Sequence, residues 1–170
     1  MARAPLWIAV VGPGEATTEE AALAEEVGAA VADARAVLVC GGLGGVMEAA
    51  CRGARSRGGL TVGLLPGGER EDANGWVQVA LPTGLGEARN ALVVRAADAL
   101  VAIGGGWGTL SEIALALRAG LPVIGLRTWT PAKEHGEVPG VHAMQDPRGA
   151  VEEAVRRTGH GAEADGPGGG

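Results

Sequence analysis

The chain has no phenylalanine and no tyrosine, and its 170 residues include only two cysteines, three histidines and a single lysine. Each scarcity excludes something. Two cysteines cannot supply the disulfide framework of a small secreted domain. Cys40 ends an apolar run and Cys51 falls in a helical pattern, so both are expected as buried free thiols. His135, His142 and His160 have no ligand spacing, so no metal is assigned and no cofactor is expected. No apolar run approaches the roughly 20 residues a membrane span requires. The opening MARAPLWIAVVG passes straight into a strand pattern without a small-residue cleavage site, which points to a cytoplasmic protein. The formal charge is −6, and the arginines are scattered along the chain. Neutralising a phosphate backbone needs a concentrated basic face, so no nucleic-acid groove is expected. The missing aromatics and heavy use of Ala, Arg, Leu and Val read as a compositional bias of the source.

What is present is regular. With 46% apolar residues the chain can bury one core, so a single domain is expected over 1–158. The tail from Gly159 to Gly170 is too polar and glycine-rich to pack. Six runs have strand length and β-branched content: LWIAVVG (6–12), AVLVCGG (36–42), LTVGLLP (60–66), VQVALP (77–82), ALVAIGG (99–105) and PVIGLR (122–127). Helical segments separate most of them. Leu23, Val27, Ala30, Val31 and Ala34 form one apolar face. Val46, Met47, Ala50, Cys51 and Ala54 form another after the second strand, as do Leu110, Ile113, Ala114, Leu117 and Leu121 after the fifth. Near-continuous apolar strands alternating with helices predict an α/β fold. The expected architecture is a doubly wound, Rossmann-like, mostly parallel sheet with helices on both faces.

Such sheets bind ligands beyond the carboxyl ends of their strands, and there the glycines cluster. VGPGEA contains Gly12 and Gly14, CGGLGG contains Gly41, Gly42, Gly44 and Gly45, LPTGLGEARN contains Thr83 and Gly84, and GGGWGT contains Gly104, Gly105, Gly106, Gly108 and Thr109. Glycine can simply relieve crowding in a tight turn, yet four side-chain-free loops on one edge also let several backbone N–H groups reach one ligand. A helix starting near Thr109 offers free N–H groups and a positive dipole end to a phosphate. The spacing is neither GxxxxGK[ST] nor GxGxxG. Glu112 has two readings. Thr109-Leu110-Ser111-Glu112 matches a capping box, the reading that the spacing favours; the other is a functional carboxylate beside the anion site. Trp107, inside the same loop, has a base-stacking reading and a subunit-contact reading. Asn74 and Trp76 lie in a turn before the fourth strand and have no derivable role.

GGLGGVMEAACRGA, PTGLGEARN and ADALVAIGGGWGTLSEIALALRAGLPVIGL together resemble the SLOG superfamily, over roughly residues 6–127. Within it they resemble a branch related to the Lonely-guy nucleoside-monophosphate phosphoribohydrolases, long labelled "possible lysine decarboxylase". In those hydrolases PGGxGTxxE and an arginine on a preceding helix act on the N-glycosidic bond. The resemblance implies Arg89 and Glu112 as the catalytic pair, with Gly105, Gly106, Gly108 and Thr109 at the phosphate. A nucleoside 5′-monophosphate would then be cleaved to free base and ribose 5-phosphate, with the carboxylate supporting an oxocarbenium-like state or activating water. Three positions depart from the pattern. Gly104 replaces the proline, Asn90 the lysine that follows the arginine, and Glu48 a glycine, so that a second carboxylate is expected beside the anion site. The branch is also similar to molybdenum-cofactor carrier proteins, which bind a pterin phosphate without turning it over. The expected partner is therefore a small phosphorylated ligand, either hydrolysed or carried, in a homo-oligomer that family precedent makes a dimer or tetramer. The decarboxylase label fails, because a pyridoxal-phosphate enzyme needs a lysine and Lys133 stands alone in the loop TWTPAKEHGEVPG.

Overall fold

The computed structural model describes residues 4–135 and 140–160. Seven parallel strands form one sheet: β1 (Trp7–Val11), β2 (Val37–Cys40), β3 (Thr61–Leu65), β4 (Val79–Pro82), β5 (Ala99–Ile103), β6 (Val123–Leu126) and β7 (His142–Met144). Their order is β4-β3-β2-β1-β5-β6-β7, every neighbouring pair parallel. The expected doubly wound α/β sheet is therefore what forms. Five helices accompany it: α1 (Thr18–Asp33), α2 (Val46–Ser56), α3 (Asn90–Arg95), α4 (Trp107–Arg118) and α5 (Pro147–Arg157). One core cluster joins α1, α2 and α5 to one face of the sheet; the other joins α3 and α4 to the opposite face. β1, β2, β3, β5 and β6 are buried on both faces, as their unbroken apolar runs require.

Three features differ from the sequence reading. β7 is a three-residue edge strand, HAM, paired with β6 at Ile124↔His142 and Leu126↔Met144. It lacks the apolar run by which the other six were found. α4 begins at Trp107, with Gly106 at its cap. Thr109 is thus inside the first turn, and the proposed Thr109–Glu112 capping box does not form. A capping box does form at the start of α1, where Glu20 N–H donates to Thr17 Oγ1 at 3.1 Å and Thr17 N–H donates to Glu20 Oε2 at 2.9 Å. The phase of α4 shifts too: Thr109, Glu112, Ile113 and Ala116 are its buried residues, whereas Ala114, expected inside, is exposed. Of the tail, Gly159 and His160 close α5 in a turn, and 161–170 lies outside the described residues.

α1 and α2 cross at backbone distance because two glycines allow it. A Cβ on Gly28 would overlap the Ala50 carbonyl oxygen, and one on Gly53 would overlap the Glu25 carbonyl oxygen. The contact holds α2 against β1 and so sets where the loop before α2 lies. Gly28→Ala and Gly53→Ala each gain helix propensity of about 1 kcal/mol, but overpacking a backbone contact costs about 1 to 3 kcal/mol. A net loss of stability is expected for both, and urea unfolding midpoints measure it.

Candidate functional site

β1 and β5 lie side by side, yet the chain leaves β1 for α1 on one face and β5 for α4 on the other. A cleft of about 940 Å³ opens beyond their carboxyl ends, at the upper end of the range for small-molecule sites. Its walls include Gly12, Gly14, Gly41, Met47, Arg89, Asn90, Gly106, Trp107, Gly108, Thr109, Ser111 and Glu112. Eight of the residues picked from sequence therefore meet in one place: Gly12, Gly14, Gly41, Arg89, Gly106, Gly108, Thr109 and Glu112.

The long helices differ in how their starts are capped. α1 is closed by its own capping box and α5 by Asp146, whose carboxylate accepts from Gly149 N–H at 2.6 Å. α2 and α4 are capped by Gly45 and Gly106, with no side-chain bond. These two supply Met47 and the Gly106–Thr109 turn to the cleft. In α4 the bond from Leu110 N–H to Gly106 O, 3.1 Å, closes the first turn. The N–H groups of Trp107, Gly108 and Thr109 precede it and have no intrahelical acceptor. The helix start expected near Thr109 lies two residues earlier, at Trp107.

The glycines expected at the ligand have different occupations. A Cβ on Gly106 would meet nothing within 4 Å, and one on Gly108 only the Asn90 amide at 3.9 Å. Both positions face open cleft. Gly104 and Gly105 do not line it. Gly104 has φ +55°, and a Cβ there would overlap the Glu20 carboxylate; a Cβ on Gly105 would lie 3.0 Å from Thr109 Cβ and 3.1 Å from Trp129 Cδ1. Proline cannot adopt a positive φ, so the backbone at Gly104 excludes it. Gly42 packs against Leu65 and Gly63, Gly44 against the Gly14 carbonyl, and Gly45 against Pro13 and Gly14. These three shape the loop from behind. Thr83 and Gly84 are also absent from the cleft wall; Thr83 Oγ1 instead donates to Leu65 O at 2.7 Å and accepts from Leu85 N–H at 3.3 Å, fixing a turn.

Arg89 and Glu112 form the floor. They are 8% and 6% exposed, with Arg89 Nη1 4.0 Å from Glu112 Oε1. The guanidinium lies directly on Gly41, where any Cβ would displace it. Its Nη1 also donates to Asn90 Oδ1 at 3.2 Å, and its Nε, buried, has no partner. Burial pushes the Glu112 carboxyl up to about 7, with Arg89 pulling the other way. Burial also lowers the Arg89 guanidinium from its usual range, opposed by Glu112 and Cys40. Asn90, noted in the sequence only as a departure, tethers α3 to α4: its Nδ2 donates to Ser111 Oγ at 3.1 Å, and that hydroxyl donates to Gly108 O at 2.7 Å.

Glu48 does not crowd the site. It is half-buried on α2 and is not part of the cleft wall, which corrects the expectation of a second carboxylate at the anion position; Glu87 is the other acidic residue of the wall. Asn74 supports the glycine loop, donating from Nδ2 to Leu43 O at 2.8 Å and to Gly42 O at 3.3 Å. An Asn-Gly pair signals a turn, and Asn74 does accept from Trp76 N–H at 3.0 Å, but nothing in the sequence signals its second task. Cys40 and Cys51 are buried free thiols, their sulfurs 3.6 Å apart. Among the described residues no cluster of three His, Cys, Asp or Glu side chains could hold a metal ion, and no helix is long and apolar enough to cross a membrane.

The model of the SLOG cluster4 family matches residues 5–151. The chain belongs to the SLOG cluster4 family. An uncharacterized protein of Archaeoglobus fulgidus is 44% identical to this SLOG chain over 122 residues, covering 72% of it and 80% of the relative. The molybdenum cofactor binding protein of Rippkaea orientalis has a similar structure, with a TM-score of 0.80 and 34% identity over 92% of this chain and 98% of the other. The Moco carrier protein of Chlamydomonas reinhardtii gives a TM-score of 0.79 and 35% identity over 92% and 99%.

The buried Glu112 of this SLOG member makes stability depend on pH. An unfolded glutamate releases its proton near 4.5, the folded one near 7. Between those values the native state binds the extra proton, so stability falls as pH rises through the window, by on the order of 3 kcal/mol in all. Glu112→Gln carries no such proton. Its urea midpoint is expected to match wild type near pH 4.5 and to exceed it increasingly up to about pH 8; a gap that does not change with pH would mean that the Glu112 carboxyl titrates in the folded protein as it does in the unfolded chain.

Proposed function

We propose that the protein is a non-catalytic binder or carrier of a small phosphorylated ligand of the molybdopterin type. The observation that carries this reading is its end-to-end likeness to a molybdenum cofactor binding protein and a Moco carrier protein, at 34% and 35% identity over 92% of the chain. The cleft supports it. The single guanidinium in its wall is already faced by Glu112, and the neighbouring position that holds a lysine in the resembling hydrolases is an asparagine bonded to Ser111. Phosphate would rest mainly on the backbone N–H groups of the α4 terminus, a contribution of up to about 2 kcal/mol when partly buried. Modest anion affinity suits cargo that must be released.

A second reading, hydrolysis of a nucleoside 5′-monophosphate at its N-glycosidic bond, is favoured by one observation. The two residues that resemble the catalytic pair, Arg89 and Glu112, do meet at the cleft floor. A panel of nucleoside monophosphates with chromatographic detection of free base separates the readings. No base is expected from wild type, Glu112→Gln or Arg89→Ala, while a phosphorylated pterin should raise the wild-type melting temperature, since a ligand at about a thousand times its Kd adds about 4 kcal/mol. Base released by wild type and lost in Glu112→Gln would overturn the carrier in favour of the hydrolase.

The α4 terminus gives a further expectation. Gly106→Val and Gly108→Val would place side chains in open cleft rather than against protein atoms. Both variants should fold with melting temperatures near wild type and lose the phosphorylated ligand. Full affinity in folded Gly108→Val would show that the phosphate lies elsewhere.

A further inference from the structure

Trp107 is 79% exposed in a chain that has no phenylalanine or tyrosine, and it lines the cleft. An aromatic ring left in water at that place has no part in the core. It is nevertheless held. Trp129 packs beside it, ring centroids 5.5 Å apart and planes tilted by 32°, within the range of favourable aromatic pairs. Trp129 is anchored in turn: its indole N–H donates to Gly106 O at 3.3 Å, and its ring lies over Gly105, where a Cβ would stand only 3.1 Å from Cδ1. Gly106 and Gly108 flank Trp107 in sequence and add no side chain beside its ring. The ring is thus supported from behind, uncovered on the cleft side, and carried by the same helical turn that presents the free N–H groups.

The geometry points to an aromatic clamp: Trp107, backed by Trp129, stacks on a fused planar nitrogen heterocycle whose phosphate sits at the α4 terminus. This rests on the phosphorylated-ligand reading above and deepens it, because it makes the ring system a determinant of selection. Both pterins and purines have the required flat, conjugated bicyclic form, and a sugar phosphate has none. Glycine at 105 acquires a reason in the same scheme, since any larger residue would push the backing ring away.

The test uses the full chain and four probes: neopterin monophosphate, GMP, ribose 5-phosphate and unphosphorylated neopterin. Affinities are measured by calorimetry for wild type, Trp107→Ala and Trp107→Phe, with melting temperature and oligomeric state recorded for each. In wild type the two ring phosphates are expected to bind more tightly than ribose 5-phosphate, and the comparison between them shows whether the pterin or the purine is preferred. Trp107→Ala should weaken the ring phosphates by roughly tenfold to a hundredfold, the usual range for a lost stacking platform, and leave ribose 5-phosphate unchanged. Trp107→Phe should restore most of the loss. If ribose 5-phosphate binds as well as the ring phosphates and Trp107→Ala changes neither, the clamp is overturned while the phosphorylated-ligand reading stands. If Trp107→Ala alters the oligomeric state but not ring affinity, the ring is a subunit contact and the clamp is again overturned. If no phosphorylated probe binds to wild type, both readings fall together.

Discussion

The site depends on a topological constraint: two adjacent parallel strands, β1 and β5, send their chains to opposite faces of one sheet. The two connections leave in opposite directions, so the space between them at the strand ends stays open. Gly12 shows how tightly the remaining backbone closes beneath that opening, since a Cβ there would lie 2.7 Å from the Ile103 carbonyl oxygen. The cleft is therefore a product of strand order before it is a product of any binding residue. Arg89, brought in after β4, then fills its base by lying on Gly41.

The strand runs were legible because buried parallel strands need little but apolar residues, and a run such as ALVAI admits few other readings. β7 was not, because its pairing with β6 is an edge contact of three residues, two of them only half-buried; its backbone bonds leave no mark on side-chain choice. Helix starts were read less well than helix faces. TTEE and TLSE both carry the Ser/Thr-x-x-Glu spacing, and only the first forms a box. The difference is Gly106: it allows the chain to enter the helix before Thr109, so that Thr109 is already wound when it would have to act as a cap. Once there, Glu112 turns inward to the cleft floor instead of back to its own turn.

The candidate site was legible as a cluster and illegible as a division of labour. Sequence alone puts Gly104, Gly105 and Gly106 in one motif with one purpose. In three dimensions the first admits a carboxylate, the second admits an indole, and only the third opens to the cleft. The same holds across the second loop, where Gly41 seats a guanidinium while Gly42, Gly44 and Gly45 hold the backbone of neighbouring segments. A missing side chain records that something comes close, without recording what.

The contact between Gly104 and Glu20 joins positions far apart in the chain, one closing the first turn of α1 and the other opening the signature loop. Glu20 can reach there because its carboxylate is already turned back to Thr17, and Gly104 can receive it because it has no Cβ. The two constraints on Gly104 differ in kind. The Glu20 carboxylate is the far end of a flexible side chain and can swing aside, whereas the left-handed backbone at +55° stays strained for any residue with a Cβ. Glycine at the head of the loop is therefore held there by the path of the chain, and a substitution would be felt as backbone strain before it is felt as crowding.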